Sequence, residues 1–245
     1  MSGDQRLTGS TALQWDELAN LSFYFDSDGV YRAAALAELS WLEHGFGTRR
    51  SPGWLAGRSV ATLRQIHSDI VRLADGAGNE GVPEGDGLAA DRPDCLIGVR
   101  TADCLPILIA DERRQVVAAV HAGWRGSVAG IGAKAVAFLE RTLGSRPVDL
   151  RVAIGPGIGP CCFEVGPEVA GRFREVFPER MDLGGRARID LVEVNRRHLR
   201  RAGVSGERIT SASLCTRCEV EWFESFRRDG EASGRMLSAI GIRRS

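Results

Sequence analysis

The chain has 245 residues, 43% of them hydrophobic, with 32 Lys plus Arg balanced by 32 Asp plus Glu. That is enough to bury a sizeable core, and the zero net charge (His neutral) excludes the general electrostatic attraction that drives binding to nucleic acid or anionic membranes. No run approaches the ~20 apolar residues that span a bilayer, and no basic-then-apolar leader opens the sequence, so the expected compartment is the cytoplasm, where six cysteines serve as thiols or metal ligands rather than disulfides.

In chain order, residues 1–15 are polar and expected to be flexible, and 16–245 are expected to form a single domain. "LSFYFDSDGVYRAAALAELSWLEHGFGT" reads as a strand, a turn at Asp28-Gly29, a short helix or strand, and a glycine-broken loop. "RSVATLRQIHSDIVRLA" alternates well enough for a strand pair interrupted near His67, and "GAGNEGVPEGDGLAAD" is loop chemistry. "CLIGVRT", "CLPILIAD" and "QVVAAVHAGWRG" are β-branched apolar runs of strand length. "SVAGIGAKAVAFLERTLG" has helical spacing with a stop at Gly144, and "DLRVAIGPGIGPCCFEVG" is a strand entering a Gly-Pro loop. "GPEVAGRFREVF" and "DLVEVNRRHLRRAG" read as amphipathic helices, and "ITSASLCT" and "GRMLSAIGI" as closing strands. The arginine pairs Arg196-Arg197 and Arg200-Arg201 read as the solvated face of a helix.

Chemistry concentrates at strand ends. Of four histidines, His67 and His121 end strand-like runs, and Cys104 sits at the mouth of another, beside Asp103. Two imidazoles and a thiolate are a three-ligand set of the kind catalytic zinc uses, leaving one position open. The long spacings fit no short ligand motif, and each residue alone is more often an ordinary satisfied side chain. Asp103 needs a partner or a metal if buried. "CTRC" (Cys215 to Cys218) lacks a second C-x-x-C pair, since Cys161 and Cys162 are adjacent; these four read as structural thiols. "GPGIGP" lacks the Lys-Ser/Thr of a phosphate loop.

"TADCLP", "HAGWRG", "GPGIGPCCFEVG", "CTRC" and "FRRDG…GRMLSAIGI", in this order from about Trp41 onward, resemble the laccase-domain family of purine nucleoside phosphorylases, which carries a multicopper-polyphenol-oxidase name. The resemblance implies an α+β fold, one domain of mixed β-sheets flanked by helices, of the cytotoxic-necrotizing-factor-like or laccase-domain type. It implies a zinc site at His67, Cys104 and His121, with copper the alternative ion, and phosphorolysis of adenosine, inosine and methylthioadenosine alongside adenosine deamination. It makes Arg49 in "HGFGTR" a phosphate-binding group. This sequence departs from the family in having only "RSPGWLAGRSVATLR" between Arg49 and Gln65, which implies a missing or rebuilt pocket wall, and in placing Ser68 where the family has glycine.

On this reading Cys104 and His121 are catalytic as well as ligating, and Asp103 is the nominee for a proton shuttle or for orienting a ligand histidine. The partners are purine nucleosides and phosphate, with no nucleic acid and no membrane; the oligomeric state is not legible. Two rivals stand: a copper-dependent, laccase-like phenol oxidase, which four histidines serve poorly, and a cysteine hydrolase with Cys104 as nucleophile.

Overall fold

The structure, a computed structural model, describes residues 22–74 and 82–244; the segment expected to be flexible, 1–15, lies outside the described residues. The strands run β1 (Phe23–Phe25), β2 (Tyr31–Ala33), β3 (Leu42–Phe46), β4 (Val60–Ala61), β5 (Val71–Leu73), β6 (Gly87–Ala90), β7 (Leu96–Thr101), β8 (Leu105–Asp111) and β9 (Val116–Ala122). Helices Trp124–Val128 and Ile131–Leu143 follow, then β10 (Leu150–Ile154), β11 (Glu164–Val165), β12 (Ala187–Arg188), helix Leu191–Arg201, β13 (Ile209–Ser211) and β14 (Met236–Ile242). One mixed sheet has the order β1-β2-β3-β14-β7-β4 and the other β13-β10-β8-β9-β6-β5, while β11 and β12 form a small ribbon.

The central strands explain the layering. On β8, Leu105, Ile107 and Ile109 join a cluster with Ile131, Ala135 and Leu139 of one helix and Val194 and Leu199 of another. Leu108 and Ala110 turn the other way, onto Phe46, Ile97, Val99 and Ile240 of the first sheet. β9 alternates likewise, so both strands are buried on both faces and read as continuous apolar runs. Sheet packs on sheet, and helices cover the outer face of the second. Burying each such aliphatic side chain contributes roughly 1.5–3 kcal/mol. The outcome is the expected α+β fold of mixed sheets flanked by helices.

Local expectations fare unevenly. The helix 131–143 stops at Gly144, whose φ of 68° is left-handed, and Asp190 caps helix 191–201 by accepting from Glu193 N–H. The stretch read as a glycine-broken loop contains β3, because Gly45 is a strand residue that lacks room: a Cβ there would lie 2.7 Å from Val30 Cγ1 and 2.8 Å from Trp54. "GPEVAGRFREVF" forms only one helical turn, Pro167–Ala170, before tightening into a 3₁₀ turn. The strand pair around His67 exists as β4 and β5, but they pair with β7 and β6 respectively, in different sheets. The connecting segment therefore crosses from one sheet to the other, carrying His67. Part of the expected loop "GAGNEGVPEGDGLAAD", residues 76–81, lies outside the described residues; its end is strand β6.

Candidate metal centre

β8 and β9 pair antiparallel with Leu105 opposite Ala122 and Pro106 opposite His121, which sets Cys104 beside Gly123 at one end of the hairpin. The crossing segment brings His67 to that end. Its Nε2 is 4.0 Å from Cys104 Sγ, and its ring meets His121 edge-on, with centroids 4.9 Å apart at 76°. One ligand atom from each of the three lies within 4.8 Å of the others. Gly123 makes the convergence feasible, because a Cβ there would stand 2.9 Å from His67 Cδ2 and 3.0 Å from Cys104 Sγ.

Asp86, fully buried just before β6, organises the cluster. Its Oδ1 faces His121 Nδ1 at 2.7 Å and accepts from His67 N–H at 3.1 Å. Its Oδ2 accepts from the Ser68 N–H and hydroxyl, at 2.6 and 2.7 Å. Burial pushes this carboxyl's pKa up, but the hydrogen bonds from His121 and Ser68 outweigh that and hold it at about 2. The bonds to consecutive N–H groups also hold His67 at a φ of 59°, a left-handed conformation that costs a non-glycine residue about 1–3 kcal/mol. Ser68 adds the hydroxyl bond.

The donor set fits a tetrahedral divalent ion. Bonds of about 2.3 Å to sulfur and 2.0–2.1 Å to nitrogen separate such ligand atoms by about 3.5 Å, close to the 4.0 Å between Cys104 Sγ and His67 Nε2. Asp86 occupies His121 Nδ1 and so presents Nε2. Burial pushes the Cys104 thiol pKa up, but the His121 and His67 imidazoles overcome it and bring it down to about 7, toward the ligating thiolate.

A cavity of about 550 Å³ opens over the three side chains. Leu63, Trp124, Ile158, Phe163, Leu191 and Phe226 give it apolar walls, and Arg100, Arg227 and Arg235 face it with positive charge. The Arg100 guanidinium has no hydrogen bond or ion pair within the chain among the described residues, whereas Arg227 donates to the carbonyls of Cys162 and Glu164. Gln65 is spent on structure, its amide pairing both backbone groups of Arg100 at 2.8 Å.

A family model described as multi-copper polyphenol oxidoreductase laccase matches residues 49–243. The chain belongs to this laccase family. It is 32% identical over 231 residues to a purine nucleoside phosphorylase of Clostridium acetobutylicum, covering 92% of this chain and 96% of that one. It is 39% identical over 194 residues to adenosine deaminase RL5 from an unknown prokaryotic organism, covering 72% of each. The crystal structure of YlmD from Geobacillus stearothermophilus superposes with a TM-score of 0.81 at 30% identity, covering 91% of this chain and 99% of that one. Relatives in the laccase family are thus named as enzymes of nucleosides.

The remaining residues singled out from the sequence are distributed as follows. Arg49 lies outside the cavity, in an adjoining groove, where its Nη1 donates to the Val220 carbonyl and its Nε lies 3.3 Å from Glu224 Oε1; Arg100 and Arg235 border both spaces. Asp103 lines the cavity, but Oδ1 accepts from the Thr216 hydroxyl and Oδ2 from Arg227 N–H, both at 2.6 Å. The carboxylate on the candidate ligand histidine is Asp86, not Asp103, which instead ties its turn to the segment carrying Thr216 and Arg227. The arginine of the "HAGWRG" motif, Arg125, packs over Trp124. The cysteines read as separate structural thiols are gathered: Cys161, Cys162, Cys215 and Cys218 bring their sulfurs within 4.8 Å of one another, and Cys161 and Cys218 are exposed. Asp86, Arg100 and Arg235 escaped the sequence reading. Asp86 carried the same signal as His121 and Cys104, a polar residue at the mouth of an apolar strand, but was masked by its glycine neighbours.

Among the described residues no helix is long and apolar enough to cross a membrane.

Proposed function

We propose that this chain is a zinc-dependent purine nucleoside phosphorylase, a single cytoplasmic catalytic domain over 16–245 that cleaves adenosine, inosine and methylthioadenosine with phosphate and also deaminates adenosine. The observation that carries the reading is one cavity in which aromatic walls, three arginines and a two-histidine, one-cysteine cluster converge. Its volume suits a nucleoside-sized ligand, and the names of the relatives point the same way.

In phosphorolysis a phosphate oxygen bonds to C1′ of the ribose as the C1′–N9 bond breaks, and the electron pair leaves with the purine, which takes a proton. Phe163, Phe226 and Trp124 would hold the base by stacking and burial. Arg100 and Arg235 would hold phosphate at the neck between cavity and groove, with Arg49 completing the donor set from the groove side when it exchanges Glu224 for phosphate. His67, Cys104 and His121 would hold the cation, which supplies Lewis acidity for the reaction and an acidified water for deamination. Asp86 keeps His121 oriented throughout.

A second reading has its own observation: Cys104, His121 and Asp86 line up as thiol, imidazole and carboxylate, the order a cysteine hydrolase uses. There His67 would serve only to stabilise the Cys104 thiolate. A copper oxidase fits less well, because His44 is bonded to Ala33 N–H and His198 packs beside Gly130, leaving two imidazoles at the centre.

The test is product analysis under anaerobic conditions. Adenosine and phosphate should give adenine and ribose 1-phosphate, and adenosine without phosphate should give inosine. Absence of every nucleoside product, with oxygen-dependent turnover of phenols, would overturn the proposal.

A further inference from the structure

We propose that Cys161, Cys162, Cys215 and Cys218 form a second metal site, a closed tetrathiolate that binds zinc as a structural ion and braces one wall of the substrate cavity. The inference does not depend on the proposed activity, because none of these side chains lines the cavity.

The geometry is that of ligands awaiting an ion. Cys218 Sγ lies 3.7 Å from Cys161 Sγ and 3.4 Å from Cys162 Sγ. Four sulfurs at about 2.3 Å from a tetrahedral zinc stand about 3.8 Å apart, whereas a disulfide needs about 2.05 Å. Two tight turns present the thiols. In one, Cys218 and Glu219 N–H donate to the Cys215 carbonyl; in the other, Cys162 and Phe163 N–H donate to the Gly159 carbonyl. Gly159 lets the turns approach, since a Cβ there would lie 3.2 Å from Cys215 Cβ and 3.3 Å from Cys161 Sγ.

Two further N–H donors reach the sulfurs. Gly159 N–H donates to Cys215 Sγ at 3.3 Å and Arg217 Nη1 to Cys162 Sγ at 3.5 Å. Zinc uptake would release the thiol protons to solvent with no change of oxidation state. The resulting complex, four thiolates on one divalent ion, carries two negative charges, which Arg217 and nearby Arg227 offset.

The position explains why such an ion is useful. Two loops with little regular structure meet here, 155–166 and 212–225, and the first reaches the cavity. Ile158 and Phe163 line it from the first. From the second, Thr216 bonds to Asp103, the neighbour of Cys104. A zinc ion would cross-link the two loops and add folding energy to that of the buried Ile158, Phe163 and Phe223.

The experiment measures metal in protein purified under reductant, saturated with zinc and desalted. Wild type, Cys215→Ser/Cys218→Ser and His121→Ala are compared for zinc per chain, and His121→Ala is examined by zinc X-ray absorption. Wild type should hold two equivalents, and each variant one fewer. The ion left in His121→Ala should show four sulfurs at about 2.3 Å. The absorption measurement leaves all four cysteines intact, so it stands even if the double variant does not fold. The proposal is overturned if the double variant, folded, keeps as much zinc as wild type, or if His121→Ala keeps a single ion and that ion has nitrogen or oxygen neighbours. It is equally overturned if that variant holds no zinc, or iron instead. Loss of one equivalent in the double variant alone, with His121→Ala unchanged, would support this site while refuting the other.

Discussion

Asp86 joins its carboxylate to His121 Nδ1 at 2.7 Å and, through the same oxygen, to the backbone N–H of His67. One buried acid thereby aims one candidate ligand and anchors the loop that carries another. The two histidines are 54 residues apart in sequence (121 − 67), and their approach depends on this shared acceptor as much as on the strands.

Asp86→Asn should weaken metal binding by roughly 10–100-fold, the usual cost of losing a carboxylate behind a ligand histidine. Competition with a chromogenic chelator measures it. Unchanged affinity in the folded variant would show that the contact is incidental.

Gly123→Ala isolates a steric requirement. The residue's φ of −69° and ψ of 174° are open to alanine, so backbone strain contributes nothing. The added Cβ would press on His67 and Cys104. We expect at least a tenfold loss of metal affinity with a nearly unchanged Tm; a fall in Tm with metal binding intact would argue the reverse.

Arg235→Ala should raise the phosphate KM by tenfold or more and leave phosphate-independent deamination nearly unaltered. Arg49→Ala should act in the same direction but less, because Arg49 is already shared with Glu224 and the Val220 carbonyl. Steady-state kinetics in both assays checks the pair. Equal loss of phosphorolysis and deamination in either variant would remove phosphate binding as its role.

Much of this was legible in the sequence, and the failures have physical causes. β8 and β9 were plain because both faces are covered, so nothing polar interrupts them until their ends, and those ends carry Cys104 and His121. β3 was hidden because Gly45 weakens the strand pattern for a tertiary reason, the close approach of Val30 and Trp54. The partition of β4 and β5 between two sheets is set by long-range pairing with β7 and β6, which no local periodicity encodes. The tetracysteine cluster was missed because its halves, an adjacent pair and a C-x-x-C, lie more than fifty residues apart and long-range contacts such as the Gly157–Cys215 bridge align them.

His44 gives a pH prediction. It is buried, and its Nε2 accepts from Ala33 N–H at 3.0 Å. Burial, with the Arg32 charge, lowers its pKa to about 3. The folded chain therefore holds His44 neutral while the unfolded chain protonates near 6.5. Its contribution to stability is complete above pH 6.5 and is lost as the pH falls toward 3, at up to about 1.4 kcal/mol per pH unit. Denaturant melts should show this decline, and His44→Gln, which keeps an acceptor for Ala33, should flatten it. An identical acid limb in the variant would place the titration elsewhere.

The most direct test of the central claim is to measure bound metal and phosphorolysis together in His67→Ala at saturating zinc. His67 is a ligand in the metal enzyme but is neither the base nor the carboxylate of a Cys104–His121–Asp86 hydrolase. The variant should fold, hold one equivalent of zinc fewer than wild type, and lose nucleoside cleavage by at least a hundredfold. Turnover that survives while that equivalent of metal is gone would contradict the account.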